Sequence, residues 1–121
     1  MRDPDYRVYI LTNKHRTTLY IGVTNDLELR VWQHRWGETA GFTKRYHLNR
    51  LVWFEHFRDM NDAIACEKKL KGWLRRRKIE LIEKTNPQWF DLSADWEEQL
   101  KPERWPWNTE EMVRDSSLRS E

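Results

Sequence analysis

Tyr9 and Tyr20 are followed by Arg30 and, one helical turn later, by His34, and Glu67 comes further along the chain. A phenol pair, a planar guanidinium, an imidazole and a hard carboxylate are the parts that phosphodiester cleavage needs. That reaction builds charge on a phosphorus centre and expels an alkoxide, so positioned cations and a metal ion supply most of the help. Arg30 offers a fork matched to phosphate oxygens. Tyr9 is a poor base at a phenol pKa of about 10 and needs a nearby cation before it can take a proton. His34 titrates near neutrality. Each residue also has an ordinary role open to it. The tyrosines could be a cross-strand aromatic pair, Arg30 and His34 a solvated helix face, Gly22 a bulge, and Asn86 a helix terminator before Pro87.

The elements that would position these residues follow from periodicity. Tyr6 to Thr12 and Thr18 to Thr24 alternate apolar and polar positions, as half-buried strands do. The polar stretch Asn13-Lys14-His15-Arg16-Thr17 joins them as a hairpin loop. If Val8, Ile10, Leu19, Ile21 and Val23 share one face, Tyr9 and Tyr20 share the other with Gly22, whose missing side chain leaves room for close approach. A helix follows, with Asn25 as N-cap, Glu28 completing a capping box and Gly37 as its stop. Leu51 to Phe57 forms a third strand. Asn61 or Asp62 caps a second helix running to about Trp73, Gly72-Trp73-Leu74 bends the chain, and Arg75 to Lys84 forms a third helix. The expected fold is α+β: a small three-stranded antiparallel sheet flanked by helices, in the order β-β-α-β-α-α.

Glu67 falls inside the apolar arc of the second helix, one turn after Ala63. A carboxylate there must be paired or bound to metal, with an ion pair to Arg30 as the structural option. Arg75-Arg76-Arg77-Lys78 is a basic run that could clamp a phosphate backbone or simply face solvent. Cys66 is a small core residue rather than a nucleophile.

Composition bounds the partners. The chain has 121 residues, so one domain is expected, and eight Trp, four Tyr and four Phe supply an aromatic core despite 35% charged residues. One cysteine leaves no internal disulfide. No apolar run is long enough to span a membrane, and the start lacks a signal-peptide stretch, so a cytoplasmic protein without a membrane partner is expected. Residues 1–87 hold 18 Lys/Arg against 11 Asp/Glu, a charge of +7, whereas residues 88–121 hold 4 against 9, a charge of −5. The basic front part invites nucleic acid; an acidic tail folding back on it is the alternative.

Together these residues resemble the GIY-YIG nuclease superfamily, and more closely its small single-domain members. Val8-Tyr9-Ile10 stands for the first tripeptide, lacking its glycine and with the tyrosine central; Tyr20-Ile21-Gly22 stands for the second. The run from Gly22 through Asn25-Asp26-Leu27 to Arg30, with Gln33-His34, is similar over a contiguous stretch, and the resemblance covers residues 6–92. It implies a nuclease domain over 1–92 followed by an acidic, Trp-containing tail over 93–121. It further implies a metal-dependent endonuclease acting on DNA rather than RNA. Tyr9 would help deprotonate the attacking water, Tyr20 would support it, Arg30 would hold the phosphate, and His34 would assist proton movement. Glu67 would bind one divalent ion, Mg2+ or Mn2+, and Asn86 would complete the site. Gly22, Arg75, Arg76 and Arg77 are expected to contact nucleic acid. So is the basic loop Lys44-Arg45-Tyr46, where Lys44 and Tyr46 match a region that lines the site in relatives. The rival expectations are a nucleic-acid-binding module without turnover and a protein-interaction module using the tail.

Overall fold

The computed structural model describes residues 5–36 and 47–96. Its elements are β1 (Tyr6–Thr12), β2 (Leu19–Thr24), α1 (Leu27–Trp36), β3 (Arg50–Phe57), α2 (Met60–Lys71) and α3 (Arg75–Thr85), the expected α+β order. The sheet is antiparallel with β1 central, in the order β2-β1-β3. The helix stop expected at Gly37, the loop Lys44-Arg45-Tyr46 and nearly all of the tail over 93–121 lie outside the described residues.

Asn13 shapes the hairpin loop. Its Oδ1 accepts from the backbone N–H groups of Thr17 (2.9 Å) and Thr18 (3.2 Å), an Asx-type arrangement that replaces ladder bonds at the turn. Register then places Tyr9 opposite Gly22 and Leu11 opposite Tyr20. Alternation sends Val8, Ile10, Ile21 and Val23 to one face, where Ala63 and Leu70 of α2 and Ile82 of α3 complete a cluster. Tyr9, Leu11 and Tyr20 point to the other face, against Leu27, Val31 and Trp32 of α1. A bulge between Ile10 and Leu11 in the pairing with β3 leaves Val52 without its own partner, so the consecutive residues Val52 and Trp53 both join the Val8 face.

Two caps differ from expectation. Asp26, not Asn25, caps α1: its Oδ1 accepts from Leu29 N–H at 3.2 Å, and its carbonyl receives Arg30 N–H at 3.1 Å. Thr24 Oγ1 bonds the Asp26 N–H at 3.0 Å, which turns the chain one residue later. Asp59, not Asn61 or Asp62, caps α2 by accepting from Asn61 N–H. In both cases a run of adjacent cap-competent residues hides the register from sequence.

Past α3 the chain crosses to the Tyr9 face. Trp89 is buried among the Val8 cluster, Leu92 N–H donates to Leu51 carbonyl at 2.7 Å, and Leu92 and Trp96 pack beside Tyr9 and Leu11. Asn86 holds this crossing. Its Nδ2 donates to the carbonyls of Val52 (3.1 Å) and Phe90 (2.9 Å), and its Oδ1 accepts from Phe90 N–H (3.0 Å). At about 1 kcal/mol net for each of three bonds, Asn86→Ala should destabilise the fold by roughly 2–3 kcal/mol. Urea unfolding followed by circular dichroism measures this, and a loss under half a kcal/mol would show that these bonds contribute little.

Candidate active site

The two strands and α1 bring three of the expected side chains into contact. The Tyr9 and Tyr20 rings lie 6.3 Å apart, centroid to centroid. The His34 ring lies 5.4 Å from Tyr20, edge to face, and 6.2 Å from Tyr9. Tyr9 Oη and His34 Nε2 are 3.5 Å apart, the long limit of a hydrogen bond. Local structure explains the convergence. Tyr9 and Tyr20 are diagonal neighbours on one face of adjacent strands, and the Asp26 cap sets the rotation of α1 that turns His34 toward them.

Arg30 stands one turn before His34 and is fully buried, at 0% exposure. Its guanidinium NH1 donates to Gln33 Oε1, three residues on along α1. A buried guanidinium raises the cost of a second positive charge nearby. Burial first, and then Arg30, hold the His34 imidazole well below the usual histidine range, so it is neutral at pH 7. Its Nδ1 is buried with no hydrogen-bond partner among the described residues. A proton on Nδ1 would leave an N–H unpaired, whereas a proton on Nε2 is directed at the Tyr9 oxygen. The second tautomer wastes less bonding capacity.

Glu67 and Asn86 stand elsewhere. Glu67 is buried on the sheet-facing side of α2 with Ala63 and Leu70, which pack on the Val8 face, opposite the phenols. Its Oε2 receives Lys71 Nζ at 2.8 Å, so Lys71 is a counter-ion of this carboxylate. Asn86 is spent on the crossing bonds described above. Gly22 is buried opposite Tyr9, and Arg75, Arg76 and Arg77 are exposed on the first turn of α3. Sequence reasoning missed Lys71 and the part played by Gln33, although their spacing of four from Glu67 and three from Arg30 carried the signal.

A family model for the GIY-YIG catalytic domain matches residues 5–80. Similar proteins include a UPF0213 protein of Haloquadratum walsbyi, 34% identical over 79 residues that cover 65% of this chain and 89% of that protein. A UPF0213 protein of Clostridium perfringens is 39% identical over 75 residues, covering 62% of this chain and 80% of that one. The solution NMR structure of a UPF0213 protein from Bacillus halodurans covers 74% of this chain and 96% of its own, with 27% identity and a TM-score of 0.48.

The His34 environment sets a pH dependence. The folded-state pKa is lowered, so below pH about 6.5 the unfolded chain binds a proton that the folded chain refuses. Stability from this group is intact above that pH and is lost as pH falls toward the folded value, by up to about 1.4 kcal/mol per pH unit. His34→Gln should flatten the difference between urea midpoints at about pH 7.5 and about pH 5. An unchanged difference would mean that His34 does not titrate this way.

Proposed function

Because the chain belongs to the GIY-YIG catalytic-domain family, we propose that it is an endonuclease that hydrolyses phosphodiester bonds in DNA with the help of one divalent cation. The single observation that carries this reading is the meeting of Tyr9, Tyr20 and His34 on one sheet face, with the Arg30 guanidinium one turn away on the same helix.

The residues divide the work as follows. Arg30 binds a phosphate oxygen and offsets the charge that develops in the transition state. Tyr9 takes the proton of the attacking water, and the neutral His34 shares a proton with the Tyr9 oxygen through Nε2. In the Nε2–H tautomer it donates to the Tyr9 oxygen and favours the phenolate, the form that takes the water's proton. This 3.5 Å contact shortens as charge develops on the phenol oxygen. Tyr20 supports the imidazole edge-on. Tyr9 and Arg30 are both at 0% exposure, so phosphate entry requires this face to open.

Glu67 is the residue that would hold the divalent ion. One hard carboxylate suits magnesium, which keeps several waters and takes few protein ligands. Among the described residues no group of three His, Cys, Asp or Glu side chains offers a fuller cage. Lys71 already supplies a positive charge to the same carboxylate and must give way to the metal. A bound ion would add Lewis-acid charge beside a phosphate.

A second reading, nucleic-acid binding without turnover, is favoured by one observation: Glu67 is already paired with Lys71, on a helix whose Ala63 and Leu70 pack on the Val8 face. Cleavage assays on labelled single-stranded, duplex and branched DNA, with magnesium, manganese or chelator, decide between the two. The nuclease reading expects metal-dependent nicking, reduced at least a hundredfold (about 2.7 kcal/mol of barrier) in Tyr9→Phe and in Glu67→Gln. Variants that remain folded by circular dichroism yet cut at the native rate would remove these residues from the chemistry. Tight binding with no nick under any metal would leave the binding module.

A further inference from the structure

The basic residues that the phenol site does not use converge on one surface. Residues 68–78 hold seven Lys/Arg and no Asp or Glu. They span the end of α2, the Gly72-Trp73-Leu74 corner and the first turn of α3. The hairpin loop, distant in sequence, is latched to that corner. The Arg16 carbonyl accepts from Arg75 NH2 at 2.6 Å, Arg16 NH2 donates to Gln88 carbonyl at 3.2 Å, and the Arg16 guanidinium lies over the Trp89 ring at 5.3 Å. Arg16 holds a left-handed φ of 60°, a conformation costly for a residue with a side chain and sustained here by the latch. The loop adds Lys14, exposed and without an acidic neighbour in the turn.

The corner is stiffened from within. The Arg77 guanidinium stacks on Trp73 at 4.1 Å, and Lys69 Nζ lies 5.8 Å from the same ring. Lys68 and Arg76 are exposed and have no ion pair among the described residues. Cations crowd here without relief: Lys78 is held below the usual lysine range, first by partial burial and then by Arg75. The first turn of α3 has no acidic residue, and its N-cap Leu74 makes no side-chain cap bond. Positive charge at that end opposes the helix dipole, so helix stability does not account for the arrangement.

We propose that the hairpin loop and the α2–α3 corner form one rigid cationic platform that binds the phosphate backbone of duplex DNA without reading its bases. Charge complementarity selects the occupant. The platform presents Lys14, Lys68 and Arg76, which have no ion pair among the described residues, on a latched frame, and such contacts position a backbone but carry no sequence information. Arg75 is a positioning residue, because its side chain bonds the Arg16 carbonyl of the loop, and the Arg16 side chain ties the same loop to Gln88 and Trp89 beyond α3. The platform lies beside the helices of the Val8 face, apart from the phenols, so backbone binding is separable from cleavage. It deepens the nuclease reading by naming where the polyanion rests.

The test measures binding of a labelled 20-base-pair duplex by fluorescence anisotropy in chelator, across a salt series, using the full chain. The triple variant Lys14→Gln, Lys68→Gln, Arg76→Gln should lower the log–log salt slope by about one for each charge removed and weaken binding at least about tenfold at low salt. It should be no less stable in urea than the native chain. Arg58→Gln, an exposed cation at the other end of the sheet, should leave the slope unchanged. Two duplexes of unrelated sequence should bind alike. A triple variant with the native slope, or a native chain that binds no duplex, overturns the platform. Absence of nicking in the separate cleavage assay would overturn the nuclease reading and leave the platform standing.

Discussion

The central strand is buried on both faces, and the rest of the molecule is arranged around that constraint. Val8, Tyr9, Ile10 and Leu11 are all at 0% exposure, and β2 and β3 take the backbone bonds of β1 on either side. A strand closed in this way can carry a polar side chain only if a neighbour satisfies it. Tyr9 is the polar residue among these four, and the α1 layer answers it with His34. The opposite layer, α2 and α3 on Val8 and Ile10, has no such demand and packs with Ala63, Leu70 and Ile82. Two chemically different halves therefore share one strand.

The balance within the α1 layer can be judged by magnitude. His34 sits in the last turn of α1, where the helix dipole favours a cation by about 0.3–1 kcal/mol. Burial of a charged imidazole disfavours it, and Arg30 adds repulsion. The net direction is down, so burial wins. One charge, on Arg30, is retained and the other site is kept neutral.

Much of this was legible in the sequence. Period-two alternation located β1 and β2 and placed both tyrosines on one face, because a register slip would have sent every apolar side chain to the wrong side. Helical spacing put Arg30 and His34 together. Two things were not legible. Cap positions were obscured where Asn25 and Asp26, or Asp59, Asn61 and Asp62, crowd together, since each can cap and only tertiary placement chooses. The layer of Glu67 was also hidden: a wheel shows that a residue faces the core but not which side of the sheet that core occupies. The platform was half visible, as Arg75-Arg76-Arg77, but the latch through Arg16 joins segments 59 residues apart, a distance over which local pattern says nothing.

Glu67 and Lys71 connect the two halves of the functional picture. A buried carboxylate must have a counter-charge, and breaking a buried pair by removing one partner is more costly than the pair is worth. Lys71 fills that need from the last turn of α2, where it also belongs to the cationic run that leads into the platform. A divalent ion at Glu67 and the Lys71 ammonium compensate the same charge, so they are alternatives rather than companions.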